Sequence, residues 1–103
     1  RTDIIKTGAH RVHPKDVEDV IAEVDGIAEV VVFGVDDPIL GQVVKAYIVP
    51  IPGATLDLIE VKRIVRARLA NYKVPKYMEL VAALPKTSTG KVRRVEPAEG
   101  KPL

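Results

Sequence analysis

The sequence predicts an α+β fold: a small antiparallel three-stranded sheet with packed helices, preceded by an N-terminal β-hairpin. Three observations carry that expectation. Apolar residues recur at helical spacing in two stretches, Val17, Val20, Ile21 and Val24, then Leu58, Val61, Ile64, Val65 and Leu69. Three runs, at 27–35, 43–49 and 77–81, are rich in the β-branched and aromatic residues that suit strands. Clusters of Gly, Pro, Asp and Asn punctuate them, and no internal repeat is present.

In chain order, Ile4-Ile5-Lys6 and His10-Arg11-Val12 flank Thr7-Gly8-Ala9, the pattern of a short hairpin turning at glycine. Pro14 then opens a helix, where its missing N–H would be unpaired anyway. Asp16 and Glu18 complement the positive end of that helix's dipole. Asp25-Gly26 ends it. The first long strand is expected over 27–35, with a turn at Asp36-Asp37-Pro38 and a second tight bend at Gly41. A roughly alternating strand over 43–49 closes at Pro50-Ile51-Pro52-Gly53. Asp57 is expected to cap the second helix, with Glu60 at the spacing of a capping box. Its apolar stripe faces inward, leaving Lys62, Arg63, Arg66 and Arg68 for solvent. Asn71-Tyr72-Lys73-Val74-Pro75 breaks the helix, the third strand follows, and from Pro85 onward the chain is a polar loop without period.

At 103 residues the chain holds one domain, and 47% hydrophobic with 29% charged residues excludes a disordered one. No apolar stretch approaches the ~20 residues that span a bilayer. The lack of cysteine excludes a disulfide framework, a thiolate metal site and a cysteine nucleophile. His10 and His13 alone are too few to hold zinc, so no metal site is expected. Net charge is only +2, yet 62–101 is distinctly basic, a preference for anions such as phosphate, nucleotide, coenzyme or nucleic acid. The chain begins at Arg1 with no methionine, signal peptide or transit-like segment, so it is expected to be a piece of a longer cytoplasmic protein.

Two segments offer chemistry. In Leu84-Pro85-Lys86-Thr87-Ser88-Thr89-Gly90-Lys91, Gly90 lets the backbone approach a ligand and Lys91 presents a point charge on a flexible stem. Pro85 and Val92 stand where a Walker loop needs Gly and Ser or Thr, so that motif is excluded. In the hairpin, Lys6, His10 and Arg11 surround Gly8. On composition alone, each segment also reads as an ordinary exposed loop. The basic face of the second helix is most simply a solvated face, and Phe33, Tyr47, Tyr72 and Tyr77 fit core and edge packing better than a base-stacking platform.

The residues from Ile4-Ile5-Lys6-Thr7-Gly8-Ala9-His10-Arg11-Val12-His13-Pro14 to Glu18 resemble a helix-start motif of the adenylate-forming (AMP-binding) superfamily. Leu84-Pro85-Lys86-Thr87-Ser88-Thr89-Gly90-Lys91-Val92-Arg93-Arg94 resembles that superfamily's carboxy-terminal lysine motif. Gly34-Val35-Asp36-Asp37 through Gly41-Gln42, and Tyr72-Lys73-Val74-Pro75-Lys76, match between them in order. The resemblance covers residues 1–97 as a C-terminal lid domain, with 98–103 a tail, and is nearest to acyl- and aryl-CoA synthetases.

It implies an ATP-dependent acid–CoA ligase whose large amino-terminal domain binds ATP, Mg2+ and the carboxylic acid, so that this piece alone is inactive. Lys91 would be the adenylation lysine, with Gly90 beside it. After rotation of the lid, Lys6 and Arg11 would serve thioester formation, while Gly8, Ala9 and His10 line the path for the pantetheine arm of CoA. The family commonly has glycine where Ala9 sits, and its hinge residue falls at Thr2 or Asp3, which leaves the hinge unassigned. A lysine acetyltransferase and a deacetylase acting on Lys91 are further implied partners. Two alternatives stand beside this reading: the lid of an adenylation domain that loads a carrier protein, and a non-catalytic basic module that binds nucleic acid or another anion. The second lacks an aromatic platform, so no nucleic-acid partner is expected.

Overall fold

The computed structural model describes residues 3–84. Its elements are β1 (Ile5–Thr7), β2 (His10–Val12), α1 (Pro14–Ala22), β3 (Ile27–Asp37), β4 (Gly41–Pro50), α2 (Leu58–Arg66), a 3-10 turn (Asn71–Lys73) and β5 (Tyr77–Leu80). The fold is the expected α+β arrangement, with both helices and the hairpin in place. Two features of the sheet go beyond the expectation. The hairpin is part of it, because Thr7 pairs with Gly41 and joins β1 to β4. The sheet therefore has five strands.

The other feature corrects an orientation. β5 runs parallel to β4, in register from Lys45↔Tyr77 to Ile48↔Leu80, where an all-antiparallel sheet was expected. The reason is the connection: α2 lies between these strands, and a crossover of that length returns the chain in its starting direction. β3 and β4 form the long antiparallel centre, Ile27↔Pro50 to Asp37↔Gly41, with a bulge near Ile27. β3 takes one whole edge of β4. The opposite edge is divided, with Gly41 given to the hairpin and Lys45–Ile48 to β5.

Alternation along the strands places apolar residues on both faces of the sheet. On one face, Ile5, Val12, Val32, Val44, Ala46 and Ile48 pack against Val17 and Ile21 of α1 and Val61 and Val65 of α2. Full burial of such a side chain contributes about 1.5–3 kcal/mol. On the other, Val31, Phe33, Val35, Val43 and Tyr47 form a second cluster with Tyr77, Val81 and Leu84 packed against it. The outer edge of β3 is blunted by α1: the Val32 N–H donates to the Glu18 carboxylate at 2.8 Å.

Local details revise two expectations and bear out a third. The first long strand extends through Asp37, and the turn lies at 38–40, because the Asp37 carboxylate itself accepts from the N–H groups of Ile39 and Leu40. Asp57 caps α2 as expected, accepting from the Ile59 N–H at 3.0 Å. Glu60 does not complete the box, since both its oxygens are taken by Arg63.

Candidate functional site

The hairpin is positioned by turns docked against each other. Gly8 has φ 60 and Gly41 has φ 85, values that disfavour any side chain. Between them the Gly8 N–H donates to the Leu40 carbonyl at 2.8 Å. The Leu40 turn is in turn held by Asp37, whose Oδ2 accepts from the N–H of Leu40 at 2.9 Å and of Ile39 at 3.1 Å. Its Oδ1 receives Lys76 Nζ at 3.4 Å. The two backbone N–H groups, then Lys76, hold the Asp37 carboxyl below the usual carboxylate range. One more link fastens β1: the Lys6 N–H donates to Gln42 Oε1 at 3.0 Å. Gln42 finds room for that because Gly34 beside it has no Cβ.

On this support, Lys6 and Arg11 stand directly opposite one another across the hairpin, on the face turned away from Ile5 and Val12. Both are exposed, and neither has an ion-pair partner among the described residues. Like charges opposed across a strand pair destabilise it, so the arrangement favours an anion placed between them. Gly8, Ala9 and His10 form the exposed tip. His10 stacks on Tyr72, the ring centroids 3.8 Å apart and the planes 11° apart.

The structure thus brings Lys6, Gly8, Ala9, His10 and Arg11 together on one hairpin. Gly90 and Lys91 lie outside the described residues, as do the tail 98–103 and Thr2. The strand that leads toward them leaves the sheet where the Val81 N–H meets the Ile48 carbonyl. That point is ~24 Å along β4 from Gly41, at about 3.4 Å per residue.

Sequence reasoning missed Tyr72, Gln42 and Asp37 as supports of the hairpin. It also missed the character of the α2 surface. Arg63 pairs with Glu60, and Arg68 with Glu23 at 2.8 Å, as solvated charges do. Lys62 and Arg66 line a depression of about 270 Å3 with Asn71, Val74 and Lys76. Burial first, and then the charge of Arg66, hold the Lys62 ammonium below its usual pKa. Lys45 is another departure: it is 1% exposed, and its Nζ lies 5.2 Å from the centre of the Tyr47 ring.

Fold and hairpin together define an α+β domain with two exposed cations opposed across the strands of a projecting, glycine-tipped hairpin. Residues 16–91 match the AMP-binding enzyme C-terminal domain family, and the chain belongs to it. It is 44% identical over 94 residues to a long-chain-fatty-acid–CoA ligase of Bacillus subtilis, covering 91% of this chain and 17% of that protein. It is 40% identical over 94 residues to a 2-succinylbenzoate–CoA ligase of Listeria monocytogenes, covering 91% of this chain and 20% of that one. Among solved structures, apo MatB of Rhodopseudomonas palustris superposes with a TM-score of 0.83 at 36% identity, over 89% of this chain and 18% of the other. The amide bond synthetase McbA of Marinactinospora thermotolerans gives 0.81 at 35%, over 89% of this chain and 19% of the other. The chain spans a fifth or less of the length of each.

Proposed function

We propose that this domain is the mobile lid of an ATP-dependent carboxylic acid–CoA ligase and serves its two half-reactions with two different ends. In the first, the acid's carboxylate attacks the α-phosphorus of ATP and pyrophosphate leaves. Lys91 supplies a cation that offsets charge on the carboxylate and phosphate oxygens. In the second, the lid has rotated and the thiol of CoA attacks the acyl-adenylate carbonyl, with AMP leaving. Lys6 and Arg11 attract and orient the anionic coenzyme, and the small Gly8–Ala9 turn leaves room for its pantetheine arm.

The observation that carries this reading is the opposed pair Lys6 and Arg11 on the hairpin, which joins β4 at Gly41, the end opposite the point at Ile48 where the chain leaves the sheet after β5. Two ends of one rigid strand suit two orientations of one lid. The donor set also divides the labour. The opposed cations fit the phosphates of CoA, whereas no three acidic or histidine side chains converge among the described residues. By the family resemblance, Mg2+, most of the ATP contacts and the choice of acid belong to the amino-terminal domain. The names of the ligase relatives support CoA as acceptor over a carrier protein. A nucleic-acid platform is disfavoured, because His10 occupies one face of Tyr72, and Arg63 on α2 and Arg68 just after it are paired with acids.

The test is a comparison of half-reactions in the full-length enzyme. Lys91→Ala, or quantitative acetylation of Lys91, should slow acyl-adenylate formation by orders of magnitude while a preformed adenylate is still converted to thioester. Arg11→Ala should do the reverse. Equal damage to both steps by each change would overturn the two-ended reading.

A further inference from the structure

The hairpin's attachments are one-sided. Thr7↔Gly41, the Gly8 N–H to Leu40 bond and the Lys6 N–H to Gln42 bond all fasten β1 or the turn. Among the described residues, β2 is the last strand of the sheet and pairs only with β1. Val12 anchors its far end in the core, fully buried, but its near end at His10 is exposed. What meets that near end is the ring of Tyr72.

Tyr72 is itself held rigidly. Its 3-10 turn is closed by the Lys73 N–H to Ala70 carbonyl bond at 2.9 Å and the Val74 N–H to Asn71 carbonyl bond at 3.2 Å. Pro75 then follows, and the Lys76 N–H donates to the Val44 carbonyl at 2.8 Å, pinning the segment to β4. The stack therefore ties together the two structures that hang from the same edge of β4, namely the hairpin and the approach to β5. Burial does not explain it, because Tyr72 remains 37% exposed. The near-parallel rings, with centroids 3.8 Å and planes 11° apart, give the exposed end of β2 a contact of defined geometry.

We propose that Tyr72 is a positioning residue for the thioester-forming step: by stacking on His10 it sets the tilt of the hairpin, and with it the placement of Lys6, Gly8 and Arg11. The inference rests on the reading of the hairpin as the CoA-facing end. It assigns Tyr72 no contact with substrate. Its ring acts through His10.

The experiment uses the full-length enzyme and CoA. Tyr72→Leu should lower kcat/KM for CoA in the thioester half-reaction by about 10- to 100-fold, the scale of a small misplacement of binding groups. Acyl-adenylate formation and the melting temperature should stay at wild-type values, which separates positioning from general damage. Tyr72→Phe keeps the ring and should restore the thioester step. His10→Leu should cost as much as Tyr72→Leu, and the double variant no more than either. Failure of Tyr72→Phe to rescue, additive losses in the double variant, or equal loss in both half-reactions would each overturn the proposal. Arg11→Ala, run in parallel, distinguishes the two levels of failure. If it slows thioester formation while Tyr72→Leu does not, only the positioning role falls; if it leaves that step untouched, the reading of the hairpin falls with it.

Discussion

Gly34→Ala is the most informative single methyl that could be added to this domain. A Cβ on Gly34 would lie 3.0 Å from Gln42 Nε2, 3.1 Å from its Cδ and 3.2 Å from Ile5 Cγ2. Ile5 is 1% exposed and has nowhere to go. The Gln42 amide is the end of a flexible side chain and can swing away, but only by withdrawing Oε1 from the Lys6 N–H it accepts at 3.0 Å. Compressing the core instead would cost about 1–3 kcal/mol. Giving up the hydrogen bond costs about 0.5–1.5 kcal/mol, so the swing is the cheaper response. The loss of unfolded-chain freedom on replacing glycine offsets about 0.4–1 kcal/mol of that. Net destabilisation should fall between about 0 and 1 kcal/mol, lowering Tm by no more than ~8 °C for a domain of this size. The local effect should be much larger than the global one. Hydrogen exchange at the Lys6 amide should lose its protection in Gly34→Ala, and equally in Gln42→Ala, while amides in the centre of β3 and β4 keep theirs. A Tm drop beyond ~15 °C would mean that the core, not Gln42, absorbs the methyl. A Lys6 amide still protected in both variants would refute the coupling itself.

Other expectations can be checked alongside. Asp57→Ala should lower stability by about 1 kcal/mol through loss of the α2 cap, read as a shift in the urea midpoint at unchanged slope, while Asp57→Asn should retain most of it. Asp37 should make the domain acid-sensitive. Its folded-state pKa lies below its ordinary value of 3.8, so its contribution is complete above that pH and is lost as pH falls through the lower folded value. The stability gap between wild type and Asp37→Asn should therefore be widest near neutrality and close on acidification below about pH 4. A gap independent of pH would contradict the assigned hydrogen bonds.

What could be read in the sequence was whatever depends on neighbours along the chain. The α1 stripe, the Asp57 cap and the turn at Gly8 are local signals, and all three are present. The resemblance likewise located the hairpin residues, because they form one continuous motif. What supports the hairpin was illegible, for a common physical reason. Tyr72 and His10, or Gln42 and Lys6, are far apart in sequence and meet only because β4 brings two separate segments to one edge. Asp37 misled in a different way: an aspartate beside proline suits either the inside of a turn or the strand end that holds one, and only the fold decides. Alternation put Lys45 on a sheet face but did not reveal that this face is covered, leaving an ammonium 1% exposed beside Tyr47.

The divided edge of β4 has a mechanical meaning. Its partners are Thr7 at Gly41 and then Tyr77 at Lys45, so the hydrogen-bond ladder on that side is interrupted between them. Load applied to the tip of the hairpin cannot pass down a continuous ladder into β5. It is taken up at a corner joint made of one strand pairing, one backbone bond between turns, one amide side chain and one pair of rings. A joint of this kind is compliant where a full strand pairing would be stiff. A few residues at the corner thus set how far the tip of the hairpin is free to move.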